Sequence, residues 1–480
     1  MTVKRSLPVL SLAVSLLSVF GPSLNAQAAG APSQPNFVVI YGEGSGWTSS
    51  SAQMDERVPN SKGTRVATPN IERLAASGMT FSDGYAPSPR CTPSRAGLLT
   101  GRSPAALHMT FVSNGTESGA ISTKLIPPKI VLELPAAETT IAEQLKTAGY
   151  ATAHFGKWHL GNVSPKSHGF DETDGANNNG GPENSRSPNP TQATSITELG
   201  IAFMQRQSQA HKPFYLQMSH YPNQGPQTDA EIDSDTAFTD KTIGQVLDAI
   251  KKLGLAENTY VIYSTDHGTI GAKNNQPLSG AKGLVWEGGI RVPFLIAGPG
   301  VKAGSYSHVR VSQLDLFPTI SALANVKAAL PAGVEGGNIA PVLLHGGVGT
   351  VQRPREEFVV HVPHYDPQSP ASAIFLGNYK LIRVYETGDR KLYDLSKDLA
   401  EQNDLSSKMP EKVAELDKRL TDYLTAVNAQ MTTVNPNPGP ASEAGGMGGG
   451  GAGGMGGADA AAGGMAGGMA GGMGGGAAAP

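Results

Sequence analysis

Between Asn36 and Tyr41 the chain runs apolar almost without interruption, then breaks into Gly42-Glu43-Gly44-Ser45-Gly46. A short run without alternation predicts a strand buried on both faces, and the glycines after it predict a loop at its carboxyl end. The period then changes. Thr68-Pro69 opens a helix with Ile71, Leu74 and Ala75 on one face and Gly78 after it. Thr140 with Glu143 makes a capping-box pattern for a second helix through Leu145, closed by Gly149, and a strand follows from Tyr150 to Phe155. Further strands are predicted from Pro213 to Met218 and from Thr259 to Ser264. Between them Ile243, Val246, Leu247, Ile250 and Leu253 recur at helical spacing, with Gly254 behind them. Strands alternating with helices predict an α/β fold, a mostly parallel sheet flanked by helices, in which ligands bind beyond the carboxyl ends of the strands.

Past about residue 305 the pattern shortens. Phe358 to His361, Tyr379 to Tyr385 and Lys391 to Asp394 read as short strands, the last two joined through Glu386-Thr387-Gly388-Asp389 as a hairpin, and a helix follows from Pro410 to Tyr423. The expected division is a main domain over residues 35–305 and a small antiparallel α+β subdomain over residues 306–430. From about Pro436 to residue 480 the sequence collapses into Gly, Ala and Met, with too little to bury against the entropy of ordering it, so a disordered tail is expected.

At the other end, Lys4 and Arg5 precede an apolar run from Leu7 to Phe20 and the small-residue pattern Ala26-Gln27-Ala28. This predicts a signal peptide over residues 1–28 and an exported protein, periplasmic or extracellular. The run is shorter than the roughly 20 residues that span a bilayer, and no membrane span is expected elsewhere. With a single cysteine the chain cannot form a disulfide within itself, so the fold must rest on its core. The near balance of 37 basic against 40 acidic residues gives no signature for nucleic acid.

That single cysteine begins Cys91-Thr92-Pro93-Ser94-Arg95-Ala96-Gly97-Leu98-Leu99-Thr100-Gly101-Arg102. Thr92 as a cap and Pro93 as the first helical residue would put Cys91 at a helix N-terminus, where free N–H groups favour negative charge, and Arg95 adds a fixed cation one turn on. The residues suit a tetrahedral oxyanion; the plain alternative is a small buried hydrophobe. In Gly156-Lys157-Trp158-His159-Leu160-Gly161, residues two apart in an extended segment point the same way, so Lys157 and His159 can share one site while Trp158 packs behind. Asp266-His267-Gly268 offers oxygen and nitrogen ligands at a strand end, although alone such a triplet is most often a turn.

At these positions the sequence resembles the type I sulfatases of the alkaline phosphatase superfamily, whose signature Cys-x-Pro-Ser-Arg-x-x-x-Leu-Thr-Gly-Arg is present in full. The resemblance runs from about Pro35 to about Gln430 and includes Gly156-Lys157-Trp158-His159-Leu160-Gly161 and Trp286-Glu287-Gly288-Gly289-Ile290-Arg291-Val292-Pro293. It implies a sulfuric ester hydrolase in which a formylglycine-generating enzyme oxidises Cys91 and the hydrated aldehyde is the nucleophile. It also implies that Arg95, Lys157, His159 and Lys282 serve the sulfate, and that Glu43, modified Cys91, Asp266 and His267 hold calcium. The substrate would be a sulfate ester, either a small molecule or a sulfated glycan. Two departures stand out. The family's adjacent Asp-Asp after the first strand is Glu43-Gly44 here, and its histidine four residues after Ser219-His220-Tyr221 is Gln224, which donates a hydrogen bond but transfers no proton. Gln224 and His364 are candidate substrate contacts, with His361 and Tyr365 near the latter. The departures leave open a non-catalytic sulfatase-like binding protein, and a phosphonate or phosphodiester hydrolase of the same superfamily is a further alternative.

Overall fold

Eight strands make the central sheet, in the order Ser305–Ser307, Met79–Phe81, Phe294–Ala297, Thr259–Thr265, Asn36–Gly42, Phe214–Ser219, Ala151–Gly156 and Glu172–Thr173. This computed structural model describes residues 1–2, 34–112, 124–177, 192–221, 228–365 and 368–438. The expected leader, Gln224, most of the loop between Asn177 and Thr194, and the chain past residue 438 lie outside the described residues. All neighbouring strands pair in parallel except on the two sides of Phe294–Ala297, which runs antiparallel.

The unalternating strands bury both faces, as their sequences require. From the first strand Phe37, Val39 and Tyr41 enter one core with Tyr215 and Ile262, while Val38 and Ile40 enter the other with Leu216, Met218 and Tyr263. Each fully buried aliphatic or aromatic side chain contributes about 1.5 to 3 kcal/mol, and a charge at Ile40 would forfeit that share and add the cost of its own desolvation. The helix Pro69–Ser77 buries Ile71 and Leu74. The capping box at Thr140 forms with Glu143, and the helix it starts is short, Ile141–Lys146. The later helix is longer than its apolar spacing suggests, Asp229–Lys252, because a second capping box at Thr228 and Glu231 starts it about four turns earlier in a polar stretch.

The chain after residue 305 first completes the large sheet. Ser305–Ser307 pairs with Met79–Phe81, and Leu316, Phe317, Ile320 and Val342 pack into the same core as Phe37. The small antiparallel sheet then orders Phe358–Val362, Ala371–Leu376, Tyr379–Val384 and Arg390–Asp394. Its second strand, Ala371-Ser372-Ala373-Ile374-Phe375-Leu376, escapes sequence reading because it lacks both alternation and a run of β-branched residues. One face packs on the helix Pro410–Ala426 through Leu381, Leu392, Leu416 and Leu420. The other meets the main body through Tyr85, Val285, Ile290 and Phe375. No described helix is long and apolar enough to cross a membrane.

Candidate active site

Sheet register brings the first two acidic residues together. Gly42 lies beside Thr265 on adjacent parallel strands, so Glu43 and Asp266 leave the sheet side by side, and the Asp266 amide donates to the Gly42 carbonyl at 3.2 Å. Gly44 then turns back with φ 57°, in the left-handed region, and its amide donates to Asp266 Oδ1 at 3.1 Å. An aspartate at position 44 would be strained there, a backbone reason for the glycine in this pair.

The helix that delivers the cysteine is Cys91–Thr100, and all ten of its residues are buried. It starts earlier than the Thr92-Pro93 pattern predicts: Arg90 is the capping residue, and the Ser94 amide donates to the Arg90 carbonyl at 3.2 Å. Thr92 sits inside the first turn, its hydroxyl donating instead to the His159 carbonyl at 2.8 Å, so the side chain expected to cap ties this helix to the Lys157 loop. Pro93 remains in the first turn, where its missing N–H costs nothing. Gly101 closes the helix in the left-handed conformation.

Four donor groups converge at this N-terminus. Oxygens of Glu43 and Asp266, Cys91 Sγ and a His267 ring nitrogen all lie within 4.8 Å of one another, and all four residues are buried. The thiol donates to Glu43 Oε1 at 3.0 Å and stands 3.2 Å from His267 Nε2. Arg95 holds the group through its two terminal nitrogens: Nη2 donates to Glu43 Oε2 and to Asp266 Oδ2, each at 2.9 Å, and Nη1 donates to the Lys157 carbonyl at 2.8 Å. Its guanidinium also lies 5.2 Å from the centre of the Tyr41 ring. Lys157 Nζ is 2.8 Å from Glu43 Oε2 with no exposed surface, whereas Lys282 Nζ is 3.6 Å from Glu43 Oε1 and its side chain keeps 15% of its exposure. Of the two lysines, Lys282 is the one that faces solvent.

The charges are crowded enough to move one another's proton affinities. Burial and the Glu43 carboxylate push Asp266 up to about 7. Burial and Glu43 also oppose ionisation of Cys91, but Lys157, Lys282 and His267 outweigh them and bring the thiol down to about 6. Burial works against a charged His267, yet Asp266 lifts it to about 9. Glu43, despite burial, is held well below the usual carboxylate range, chiefly by Lys157. Two carboxylates forced together in this way are what a divalent cation relieves, and the donors present suit one: carboxylate oxygens, an imidazole, and an oxygen at residue 91 once its sulfur is replaced.

His159 reaches this group by a turn and not by strand alternation. The strand ends at Gly156, and His159 itself has φ 54°. Burial first, then Lys157, keep it neutral well below its ordinary range, and both Glu43 and Asp266 act on it. His220 packs away from the cluster: its Nε2 is 2.9 Å from Thr197 Oγ1, and burial brings it down to about 4. His364 lies 2.9 Å from Thr110 Oγ1 and against the Phe111 ring, His361 bonds Ser372 and the Gln430 carbonyl, and Tyr365 donates to Glu386. His364 thus meets Thr110 and Phe111, Tyr365 also accepts from the Leu125 amide at 3.2 Å, and His361 ties the small sheet to Gln430. Sequence reasoning missed Gln313, which accepts from the Tyr41 hydroxyl at 2.6 Å and donates to Ser264 Oγ and the Thr265 carbonyl, buttressing the strand that carries Asp266. No pattern of residue types announces it.

Comparison with known proteins agrees with this geometry. A family model described as Sulfatase matches residues 35–326, and one described as N-sulphoglucosamine sulphohydrolase, C-terminal, matches residues 281–430. N-acetylgalactosamine-6-sulfatase of Mus musculus is 32% identical over 373 residues, 68% of this chain and 69% of that protein. Arylsulfatase A of Homo sapiens is 32% identical over 372 residues, 65% of this chain and 69% of that protein. Among solved structures, Ps i-CgsB in complex with k-i-k-neocarrahexaose superposes with a TM-score of 0.68 at 22% identity, covering 82% of this chain and 93% of the other. That likeness concerns the fold.

Proposed function

Because the chain belongs to the sulfatase family of sulfuric ester hydrolases, we propose that it cleaves its sulfate ester with formylglycine at position 91 and a divalent cation, calcium by preference, at Glu43, Asp266, His267 and the modified residue. The observation that carries this reading is the convergence of those four buried side chains within 4.8 Å at the N-terminus of the Cys91 helix. A hydrated formylglycine would supply one hydroxyl to attack sulfur as the alcohol leaves, and a second whose proton loss would re-form the aldehyde and release sulfate, dividing one hard displacement into two easier steps. A bound cation supplies charge against the sulfuryl oxygens.

The chain's own residues set the stage for that chemistry. Arg95 gives Nη2 to both Glu43 and Asp266 and Nη1 to the Lys157 carbonyl, so its part is to hold the ligand oxygens in place. Lys282, the partly exposed cation, meets the incoming sulfate, and Lys157 lies deeper against Glu43. Both offset negative charge as it builds on the sulfate. Neutral His159 is suited to hydrogen-bond the ester or the nucleophile without adding charge. A formylglycine-generating enzyme is the partner this reading requires. Relatives named N-acetylgalactosamine-6-sulfatase favour a sulfated sugar as substrate, and the leading segment favours export.

The test is hydrolysis of an aryl sulfate by protein purified from its own host. Turnover should vanish on chelation and return with added calcium. Full activity in the presence of a strong chelator would remove the cation from the account.

A further inference from the structure

Glu287–Ile290 is a single buried helical turn that touches the chain on both sides of the Cys91 centre. The Gly289 carbonyl accepts from the amide of Gly268, the residue after His267, at 2.9 Å, and the Ile290 carbonyl accepts from the amide of Ala86, five residues before Cys91, also at 2.9 Å. The approach is too close for side chains: a Cβ on Gly268 would lie 1.8 Å from the Gly288 carbonyl oxygen, and one on Gly289 would lie 2.0 Å from that of Leu284. The turn is therefore a spacer of fixed thickness between the loop bearing Asp266 and His267 and the segment leading to Cys91.

Glu287 holds the spacer in place. One of its oxygens accepts from Tyr85 Oη and Arg291 Nε, both at 2.7 Å; the other accepts from Lys380 Nζ at 3.0 Å. Lys380 stands on Tyr379–Val384 in the small sheet with no exposed surface, and its ammonium also pairs with Glu401 Oε1 at 2.7 Å. The second Glu401 oxygen accepts from the Glu287 amide at 2.7 Å. Removing an ammonium from water is costly, and a methionine would fill the same space without that cost if packing were all the position required.

We infer that Lys380 and Glu401 are positioning residues for the Cys91 centre. Through Glu287 they fix the separation of the Asp266-His267 loop from the Cys91 segment, so the small sheet completes the active centre. The inference rests on the proposed reading of that centre.

Two variants on one strand test it. Lys380→Met should raise amide hydrogen exchange in peptides covering residues 85–91 and 265–269, and should lower kcat on an aryl sulfate about 10- to 100-fold with KM little changed. Arg383→Met removes a guanidinium that bonds Asp417 and Thr421 on the packed helix. It should raise exchange only in residues 410–426 and leave kcat per folded molecule unchanged. Lys380→Met protein that loses melting temperature with no change in exchange at the two segments or in kcat would overturn the inference, as would like behaviour of the two variants. Should Lys380→Met fail to fold, Glu401→Ala keeps the Lys380–Glu287 pair and removes the acceptor of the Glu287 amide together with the second carboxylate on Lys380. It carries the same expectation, and unchanged exchange in that variant would likewise overturn the inference. Exchange needs no turnover, so wild-type protein inactive on sulfate esters would count against the proposed function alone.

Discussion

Glu43 and Glu287 are both glutamates without exposed surface, and each is held by an arginine and a lysine. Their surroundings differ in kind. Around Glu287 the donors close the account: Tyr85, Arg291 and Lys380 satisfy its oxygens, and burial is outweighed by Lys380 and Arg291, which hold the carboxyl at about 2. Around Glu43 a second carboxylate, a thiol and an imidazole crowd the same few ångströms, leaving Asp266 raised and the Cys91 thiol lowered. The lesson concerns crowding, not burial. A buried carboxylate surrounded by hydrogen-bond donors braces a fold, while carboxylate, thiol and imidazole ligand atoms converging within a few ångströms mark a place for a cation and a reaction.

The largest separation between the clusters should appear in turnover. Lys157→Met and Lys282→Ala should each lower kcat about 10²- to 10³-fold, the usual loss when one stabilising donor is removed from developing negative charge. Their stabilities should part. Lys157 is fully buried against Glu43, so its loss should cost metal-free protein about 3 to 5 kcal/mol in denaturant titrations. Lys282, partly exposed and 3.6 Å from Glu43, should cost less than about 1 kcal/mol. Equal stability of the two variants would mean that depth is not what distinguishes them.

Cation binding gives the next effect. Calorimetric titration of metal-free protein should show calcium affinity reduced about 10- to 100-fold by Glu43→Gln or Asp266→Asn. Undiminished binding in both variants would place the ion elsewhere.

A further effect is a pH dependence of stability to which the bracing cluster contributes through Glu401. Burial raises Glu401 to about 7, above its ordinary 4.5. The folded chain thus holds that proton more tightly than the unfolded chain does. The stability it contributes is complete below about pH 4.5 and is lost as pH rises through about 7. Glu401→Gln cannot ionise, so it should show a flatter melting profile over that window and gain on wild type above pH 7 by up to about 3 kcal/mol. Parallel profiles would show that Glu401 does not titrate there.

Much of the first cluster is legible in sequence because its members sit where pattern is strongest. The run before Glu43, the strand before Asp266 and the motif at Cys91 all place chemistry at an element's end. The second cluster is hidden for the opposite reason. Lys380 and Glu401 lie about a hundred residues from Glu287, one on an ordinary short strand and one in a loop, and only the docking of the small sheet brings them together. The same limit applies to Thr92, whose residue type fits a cap but whose hydroxyl is drawn to the His159 carbonyl by a tertiary contact. Local preference yields wherever a distant backbone group offers a better partner.

Formylglycine at residue 91 is what the proposed chemistry needs, since a buried thiol against Glu43 and His267 is the wrong atom for a hard cation. Mass spectrometry of the peptide bearing position 91, taken from protein made in its own host, tests this directly. The peptide should be lighter than the cysteine form by the thiol-to-aldehyde difference and reactive toward a hydrazide. A peptide carrying only intact thiol, in protein that nevertheless hydrolyses sulfate esters, would contradict it.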